Sequence, residues 1–380
     1  MVQFTRSGKF NRTSTTTNTT TNETLSTYGY YGSSGIYTAG ADTTLTGSSF
    51  NEAFIYDLTL SGTNALRFSG FTSFDAGAGD DIMDFTVRPA NAGHEYGTDA
   101  TLYGGLGNDV IWTAGSHLTQ LYGDDHDVAG TNGSPVVGGN DRIDASAATA
   151  ASIIYGDAYT ASYFIGGNDT ITGSSLSGDS LCGDVQIAGN GFVGGNDTLF
   201  TGGSSGGAGG SGQVLVGDAA LIGNGTDTTD VVCGNDALHD DATGSLLIGD
   251  AMYLQSPGTI QGGNDVLDGG GGDDMLVGDY GGWSGTVITA IFGGNDTFVF
   301  QPGSGNDTIE DFGQATNSSN GQDQIDVSAY GITSFAQLNI SDNGSKAATI
   351  TFGGGNSVTV KNTIWDQDIT LTDLSFIFAT

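Results

Sequence analysis

Four-residue motifs of the form Gly-Gly-Asn-Asp recur along the chain, and they are the first candidates for chemistry. The motif is complete where it ends at Asp141, Asp169, Asp197, Asp265 and Asp296, and its first residue is replaced by Leu, Cys or Ser where it ends at Asp109, Asp236 and Asp307. Glycine accepts positive φ angles, so such segments turn sharply and direct backbone carbonyls toward the Asp carboxylate. The pattern predicts oxygen-ligated cation sites, with the candidate ligands Asp81, Gly107, Asn108, Asp109, Gly139, Asn140, Asp141, Gly167, Asn168, Asp169, Gly195, Asn196, Asp197, Asn235, Asp236, Gly263, Asn264, Asp265, Gly272, Asp274, Gly294, Asn295, Asp296, Asn306 and Asp307.

A second motif alternates with the first and consists of an apolar residue, one further residue and then Gly-Asp. Two interpretations stay open for its aspartates. Asp157, for example, could reach the ion that Asp169 binds, or its carboxylate could bond only to its own turn. The candidate ligands in this second set are Asp124, Asp157, Asp184, Asp218, Asp250 and Asp279.

Calcium is the cation that these residues favour. The Asp residues of the first motif, from Asp109 to Asp307, would form one column along an edge of the fold. At the spacing of stacked strands, about 4.8 Å, these carboxylates repel one another unless a dication lies between them. Carboxylate and carbonyl oxygens are ligands of Ca²⁺, whereas Zn²⁺ prefers His or Cys. The four histidines of the chain do not occur at the spacing typical of zinc ligands. We therefore predict several Ca²⁺ ions as the cofactor. The alternative is that Asn-Asp and Gly-Asp are only turn formers.

The charge of the chain points the same way. Of its 43 acidic residues only four are Glu, the formal charge is −35, and the 203 residues between Arg142 and Lys346 hold 25 acids and no Lys or Arg. This balance excludes nucleic acid as a partner and implies cations. No apolar run approaches the roughly 18 residues of a membrane span. Cys182 and Cys233 are too few for a disulfide framework, and we predict that both are small buried apolar side chains.

Short stacked β-strands must position these aspartates. The 66 glycines disfavour helix, because a helical Gly costs roughly 1 kcal/mol relative to Ala. Successive GGND motifs lie 28 to 39 residues apart because inserts separate each Gly-Asp from the next GGND. The predicted fold class is all-β, with inserted loops between the repeats. Its narrow core would hold two columns of apolar residues, Ile143, Ile171, Leu199, Leu238, Leu267 and Phe298 in one and Leu121, Ile154, Leu181, Leu215, Leu247 and Leu276 in the other.

The Gly-Asp strands also carry a second row of apolar residues. Because successive strand side chains face opposite sides, this row would form a stripe on the outer face. Either the inserts fold over it as an extra layer, which their own apolar residues favour, or another subunit covers it. The row consists of Tyr122, Tyr155, Cys182, Val216, Ile248 and Val277.

The nonapeptide pattern G-G-x-G-x-D-x-(apolar)-x resembles the RTX repeat of secreted calcium-binding proteins. The resemblance covers roughly residues 74–312, with full matches at residues 104–109 and 269–274. It implies a parallel β-roll or β-solenoid, built from degenerate RTX nonapeptides with inserted loops, that binds calcium at its turns. Most other repeats keep only Gly-Asn-Asp and carry inserts, which departs from the family pattern.

The resemblance and the composition together divide the chain into four segments. Residues 1–35 form a Thr/Asn-rich arm, residues 36–73 form solenoid-like strands without the calcium motif, and residues 74–312 form the roll. Residues 313–380 resemble the C-terminal β-cap of serralysin-like proteins followed by a type I secretion signal. The N-terminus lacks the apolar core of a cleaved signal peptide, so we expect export by that other route.

These features predict a calcium-dependent, secreted structural protein rather than an enzyme. We expect it to self-assemble on or outside a bacterial cell, as an S-layer, sheath or filament subunit. One alternative is an adhesin that binds a cell-surface glycan. Another is a secreted enzyme acting on polysaccharide, although neither a GxSxG nor an HExxH motif is present.

Overall fold

The computed structural model shows a nearly all-β chain, with 47% strand and 4% helix, wound into a β-solenoid of about 8 turns. This confirms the predicted fold class. The structure describes residues 36–60, 63–174, 178–202, 212–223, 229–241, 244–255, 258–282, 290–314, 321–363 and 366–380, with only the backbone given for 58–60 and 63–65. It also gives the backbone of four dipeptide strands in the N-terminal arm, Val2–Gln3, Thr16–Thr17, Thr24–Leu25 and Tyr31–Gly32.

Two long sheets face each other across the main core, and the chain alternates between them. Their strands pair in parallel, except for the last three of sheet 1. Sheet 1 contains, in spatial order, Val2–Gln3, Thr44–Ser48, Ser73–Gly77, Ala100–Tyr103, Leu118–Tyr122, Ile153–Tyr155, Ser180–Cys182, Val214–Val216, Leu246–Ile248, Met275–Val277, Asn306–Ile309, Asn356–Lys361, Ala347–Gly353 and Asn339–Ser341. Sheet 2 contains Tyr31–Gly32, Glu52–Ile55, Ile82–Asp84, Val110–Gly115, Arg142–Ala148, Thr170–Thr172, Thr198–Phe200, Ala237–His239, Val266–Asp268, Thr297–Val299, Gln324–Asp326 and Phe376–Ile377.

The inserts form two further parallel sheets, so each central turn contains four strands. They build a second lobe beside the first, with its own core that includes Phe164, Phe192 and Ile260. Sheet 3 contains Asp127–Ala129, Thr160–Ser162, Val185–Ala188, Ala219–Ile222 and Ala251–Leu254. Sheet 4 contains Val136–Val137, Phe164–Ile165, Phe192–Val193, Val231–Val232, Thr259–Gln261 and Ala290–Phe292.

The main core is the pair of apolar columns predicted from the sequence. Every member of both columns is fully buried. The strand registers place each beside its equivalent in the next turn, for example Ile171 beside Leu199 and Leu181 beside Leu215. One side chain per strand fills the space between sheets 1 and 2, so the stability of the core is shared among neighbouring turns.

The second lobe covers the apolar stripe on the outer face of sheet 1. Tyr122, Tyr155, Cys182 and Val216 are buried in one cluster. The Tyr155 hydroxyl contacts the Gln186 side chain of sheet 3. Of the two interpretations left open by the sequence, the insert layer is the one that the structure shows.

Different elements complete the two ends of the solenoid. The first turns enclose an aromatic cluster in which Phe74 and Phe85 pack edge to face with centroids 4.7 Å apart. At the far end, an antiparallel meander within residues 339–361 finishes sheet 1, and Phe376–Ile377 adds the last strand to sheet 2. The remaining regular elements are the strand pairs Tyr37–Thr38 with Phe68–Ser69, Asp57–Leu60 with Thr63–Leu66 and Thr16–Thr17 with Thr24–Leu25, and the 3₁₀ helices Pro89–Asn91, Ser328–Tyr330, Phe335–Gln337 and Asp373–Ser375.

Candidate metal centre: two buried columns of aspartate

The candidate site lies at the junction of the two lobes, where the chain leaves sheet 1 and later returns to sheet 2. In the central turns each exit carries a Gly-Asp motif and each return carries a Gly-Asn-Asp motif, so the aspartates stack into two columns. An Asp in a related sequence extends each column toward the ends of the solenoid. The GND column, whose members precede strands of sheet 2, is Asp81, Asp109, Asp141, Asp169, Asp197, Asp236, Asp265, Asp296 and Asp323. The GD column, whose members follow strands of sheet 1, is Asp124, Asp157, Asp184, Asp218, Asp250, Asp279 and Asp311. None of these side chains is more than 3% exposed.

Backbone hydrogen bonds hold the GND column in register. The Oδ1 atom of each carboxylate accepts a hydrogen bond from the backbone N–H of the column's preceding Asp, at 2.5 to 2.9 Å. Asp141 Oδ1, for instance, accepts from the N–H of Asp109 at 2.7 Å. This bond fixes one oxygen of each carboxylate and leaves Oδ2 to face other groups.

The asparagines of the motif form a separate ladder on the exposed edge. In each step, the backbone N–H and the Nδ2 group of one Asn both donate to Oδ1 of the Asn one turn before. Asn140 bonds to Asn108 in this way at 2.9 and 3.0 Å, and the pattern continues to Asn295. The asparagine oxygens are thus used in stacking, and the metal-site prediction rests on the aspartates.

The second glycine of each motif is required by the contact between turns. A Cβ atom on Gly167 would lie 1.4 Å from the carbonyl oxygen of Gly139, and one on Gly195 would lie 1.5 Å from that of Gly167. Both distances are far below van der Waals contact. Gly and Asn in the motif are therefore explained by the stacking of turns, whereas the buried Asp is not.

The GD column accepts hydrogen bonds from backbone amides. Gly195 N–H donates to the Asp184 carboxylate at 3.1 Å, and Gly263 N–H donates to Asp250 Oδ1 at 2.7 Å. These donors belong to Gly-Asn-Asp segments that lie 11 and 13 residues further along the chain, and not to the local Gly-Asp turn. The bonds are compatible with a shared ion, because carboxylate oxygens of Asp124, Asp141 and Asp157 also lie within 4.8 Å of one another.

Many carboxylate oxygens in these columns accept no hydrogen bond from the described residues. Burying a charged oxygen without a partner costs free energy. The ion pairs Arg88 with Asp57 and Lys361 with Glu310 lie outside the columns and do not neutralise them. The atoms concerned are Oδ2 of Asp81, Asp109, Asp141, Asp169, Asp197, Asp236, Asp265 and Asp296 in the GND column, and both oxygens of Asp124 with Oδ2 of Asp218 and Asp250 in the GD column.

Burial and mutual repulsion change the acidity of these groups. Burial, and then the neighbouring carboxylates, raises the pKa of Asp141 and Asp197 well above the usual range. Burial is also the main cause that raises the pKa of Asp124 to about 7 and of Asp279 to about 8. At neutral pH the columns therefore need protons or cations to compensate their charge.

A calcium-sized cation fits the arrangement. Ca²⁺ binds oxygens at about 2.3 to 2.6 Å, so ligands on opposite sides of the ion lie roughly 5 Å apart. The oxygens of Asp124, Asp141 and Asp157 lie within 4.8 Å. Carboxylates alone supply these donors, which is the ligand chemistry of a hard dication. In this arrangement Asp141 comes from the GND column, and Asp124 and Asp157 come from consecutive turns of the GD column.

The structure corrects the predicted membership of the GND column. The motif places Asp274 and Asp307 on the same edge as Asp109, but in the structure both lie at the opposite edge, where Asp274 precedes a strand of sheet 1 and Asp307 lies within the next one. There, Asp274 Oδ1 accepts from Ser245 N–H at 2.7 Å and Asp307 Oδ1 accepts from Asp274 N–H at 3.0 Å. The column that begins with Asp81 ends instead at Asp323. The prediction of one edge from Asp109 to Asp307 is therefore wrong.

Sequence reasoning also missed the last member of each column. Gly321-Gln322-Asp323 takes the place of Gly-Asn-Asp, and Gln322 N–H donates to Asn295 Oδ1 at 2.8 Å, as an Asn would. Asp311 accepts from Gly278 N–H and Asp279 N–H at 2.8 Å each. Reading Gln as a substitute for Asn would have found Asp323.

Comparison of the chain with known protein families gave no matching family model, and comparison with curated proteins gave no similar sequence. Among the described residues, the structure contains no helix with the length and apolar character needed to cross a membrane.

Proposed function

We propose that this chain is a calcium-binding structural protein that folds in response to calcium and assembles with copies of itself outside a bacterial cell, as an S-layer, sheath or filament subunit. One observation carries the proposal. Two columns of buried carboxylates face each other at the lobe junction, and in eleven of their sixteen members the Oδ2 atom accepts no hydrogen bond from the described residues. Dications between the columns would supply the missing partners.

Calcium binding would then be coupled to folding. In the unfolded chain the aspartates are solvated and far apart, whereas folding gathers them in a buried junction. The binding energy of the ions therefore becomes folding energy. Extracellular calcium-binding modules have dissociation constants for calcium of about 10⁻⁴ to 10⁻³ M. A chain of this kind would therefore stay unfolded at low calcium concentration and fold where calcium is abundant.

Circular dichroism with and without calcium tests this coupling. We expect a β-sheet spectrum in calcium, loss of that spectrum in excess chelator, and recovery when calcium is restored. Magnesium at the same concentration should restore much less structure, because it demands a smaller octahedral shell. An unchanged β-sheet spectrum in chelator would rule out calcium-dependent folding.

A pair of variants tests whether calcium binds at the aspartate columns. Asp169→Asn removes one buried carboxylate whose Oδ2 accepts no hydrogen bond from the described residues. The matched control, Asp241→Asn, removes an exposed carboxylate. Equilibrium dialysis with radioactive calcium should show fewer bound ions for Asp169→Asn and an unchanged number for Asp241→Asn. Equal loss in both variants would indicate nonspecific counter-ion binding.

An apolar stripe on sheet 4 supports the assembly part of the proposal. The strand registers align its outward side chains in consecutive turns. Water would contact this stripe in a monomer, whereas packing of copies would bury it. Gln261 interrupts the row, whose apolar members are Val137, Ile165, Val193, Val232 and Phe292, each 37 to 61% exposed.

Electron microscopy of the purified protein tests assembly. We expect ordered sheets or filaments in calcium and none in chelator. Val193→Lys should weaken assembly because it places a charge in the stripe. Gln120→Lys, at an exposed position of sheet 1 outside the sheet 4 stripe, should have no such effect. A monodisperse monomer at high concentration in calcium would contradict the proposal.

A further inference from the structure

One turn departs from the repeat at the lobe junction, where Cys233 replaces the first glycine of the GGND motif. The backbone there is the same as in the other turns. Cys233 N–H donates to the carbonyl oxygen of Gln261 at 2.8 Å, as Gly166 N–H donates to that of Val193 and Gly262 N–H to that of Phe292, both at 2.8 Å. Cys233 is therefore a substitution within an intact repeat.

The position of the first glycine faces the gap between two consecutive GD carboxylates. A Cβ atom on Gly138 would lie 2.2 Å from Asp157 Oδ1 and 2.8 Å from Asp124 Oδ2. The equivalent carboxylates around Cys233 are Asp218 and Asp250. The thiol sulfur and one oxygen from each of these carboxylates lie within 4.8 Å of one another.

A second observation points to a ligand at this place. Oδ2 of Asp218 and Oδ2 of Asp250 are fully buried and accept no hydrogen bond from the described residues. Their Oδ1 atoms are already held by the N–H groups of Gly234 and Gly263, at 2.7 Å each. The two carboxylates are thus fixed by the backbone with one oxygen each left to bind a cation beside the sulfur.

We propose that Cys233, Asp218 and Asp250 form a separate metal site that takes a thiophilic divalent cation of the Zn²⁺ or Cd²⁺ type. Zn²⁺ binds thiolate sulfur at about 2.3 Å and carboxylate oxygen at about 2.0 to 2.2 Å, so its donors lie about 3.5 Å apart. Side-chain shifts of about an ångström would bring the three atoms to that spacing. The thiol releases its proton to solvent when the ion binds, and water completes the tetrahedron.

The sulfur donor distinguishes this site from the all-oxygen candidate calcium site at the same junction. Ca²⁺ prefers hard oxygen ligands, whereas thiolate favours Zn²⁺ and its heavier relatives. The candidate calcium site formed by Asp124, Asp141 and Asp157 has only oxygen donors. The inference goes beyond the calcium proposal and does not depend on it, since one site can exist without the other.

Cadmium binding to the full chain tests the site. The protein is refolded in calcium with Cd²⁺ present, and the ultraviolet thiolate-to-cadmium charge-transfer band and the bound Cd²⁺ are measured after dialysis. The variants are Cys233→Gly, which restores the repeat consensus, and Cys182→Ser, which removes the other cysteine from the stripe under sheet 3. We expect the band and one retained Cd²⁺ in wild type and Cys182→Ser, and loss of both in Cys233→Gly.

Several results would overturn the inference. These are the absence of the band in refolded wild type, its persistence in Cys233→Gly, or its loss in Cys182→Ser alone. If Cys233→Gly does not fold, Cys233→Ser, which keeps the side-chain shape, takes its place and should also lack the band. Calcium-dependent circular dichroism is recorded in parallel, so failure of the cadmium site is distinguishable from failure of the calcium proposal.

Discussion

Within each GGND motif, the second Gly, the Asn and the Asp each have a different structural role. The second Gly allows turns to approach, the Asn builds an exposed amide ladder, and the Asp uses one oxygen for the backbone and keeps the other for the junction. Gly167, Asn168 and Asp169 show all three roles in one turn. A motif that looks like one metal ligand set thus serves mostly in stacking, and the proposed metal binding rests on the aspartate.

The glycine contact gives a prediction at this scale. Gly167→Ala would place Cβ 1.4 Å from the carbonyl oxygen of Gly139, so adjacent turns must separate. We expect the free energy of unfolding in calcium to fall by about 3 kcal/mol or more, as for other steric disruptions of a packed interior. Gly40→Ala, where a Cβ atom meets nothing within 4 Å, should change it by less than about 0.5 kcal/mol. Urea denaturation measures both, and equal effects would contradict the stacking argument.

The strands of this solenoid are too short to be stable alone. Most contribute one buried side chain to the main core, and parallel pairing joins these into continuous columns. In Thr198–Phe200, Leu199 is fully buried whereas Phe200 is 37% exposed on the other face. Each strand therefore depends on the strands before and after it for its stability. Loss of one core side chain should also destabilise the adjacent strands.

Two neighbouring residues in one strand test this dependence. Leu199→Ala removes a core side chain and should lower the free energy of unfolding by about 2 to 5 kcal/mol. Phe200→Ala, at the adjacent and partly exposed position, should cost clearly less. Thermal unfolding in calcium, followed by circular dichroism, compares the two variants. A larger loss for Phe200→Ala would mean that the outer face of sheet 2 is itself covered.

For the whole molecule, the decisive property is a formal charge of −35 combined with a buried row of carboxylates. Such a fold cannot be held by apolar burial alone at neutral pH, because the aspartates must first be neutralised. If calcium binds as proposed, protons and dications would compete to neutralise them. The stability of the protein should therefore depend on pH in opposite directions with and without metal.

The pH dependence of the metal-free protein follows from the raised pKa values. Burial as the main cause raises the pKa of Asp81 to about 8, of Asp124 to about 7 and of Asp279 to about 8. These groups hold protons more tightly when folded, so the stability they contribute is complete below about pH 4 and is lost as pH rises toward 7 to 8. Circular dichroism in chelator should show β-structure appearing on acidification.

In calcium the trend should reverse, because protons displace the ion from the carboxylates. Urea midpoints measured between about pH 4 and 8, with and without calcium, give the two curves. If stability in chelator does not rise on acidification, burial of the carboxylates is not what limits folding of the metal-free chain.

The sequence by itself determined the repeat, the all-β solenoid and both core columns, because an apolar residue at a fixed place after Gly-Asn-Asp or before Gly-Asp is a local pattern. Positions such as Ile171 and Leu181 followed directly from it. The sequence also indicated an acidic junction, because aspartates occupied both kinds of turn.

Only the tertiary structure decided which side chains meet. Asp109 and Asp307 share a motif but lie at opposite edges, since the edge depends on whether the next strand enters sheet 1 or sheet 2. The inserts became two ordered sheets, and Cys233 came to lie between Asp218 and Asp250, because parallel pairing joins residues about a full turn apart in the chain. Local motifs specify each turn, whereas the stacking register between turns sets the neighbours of every side chain.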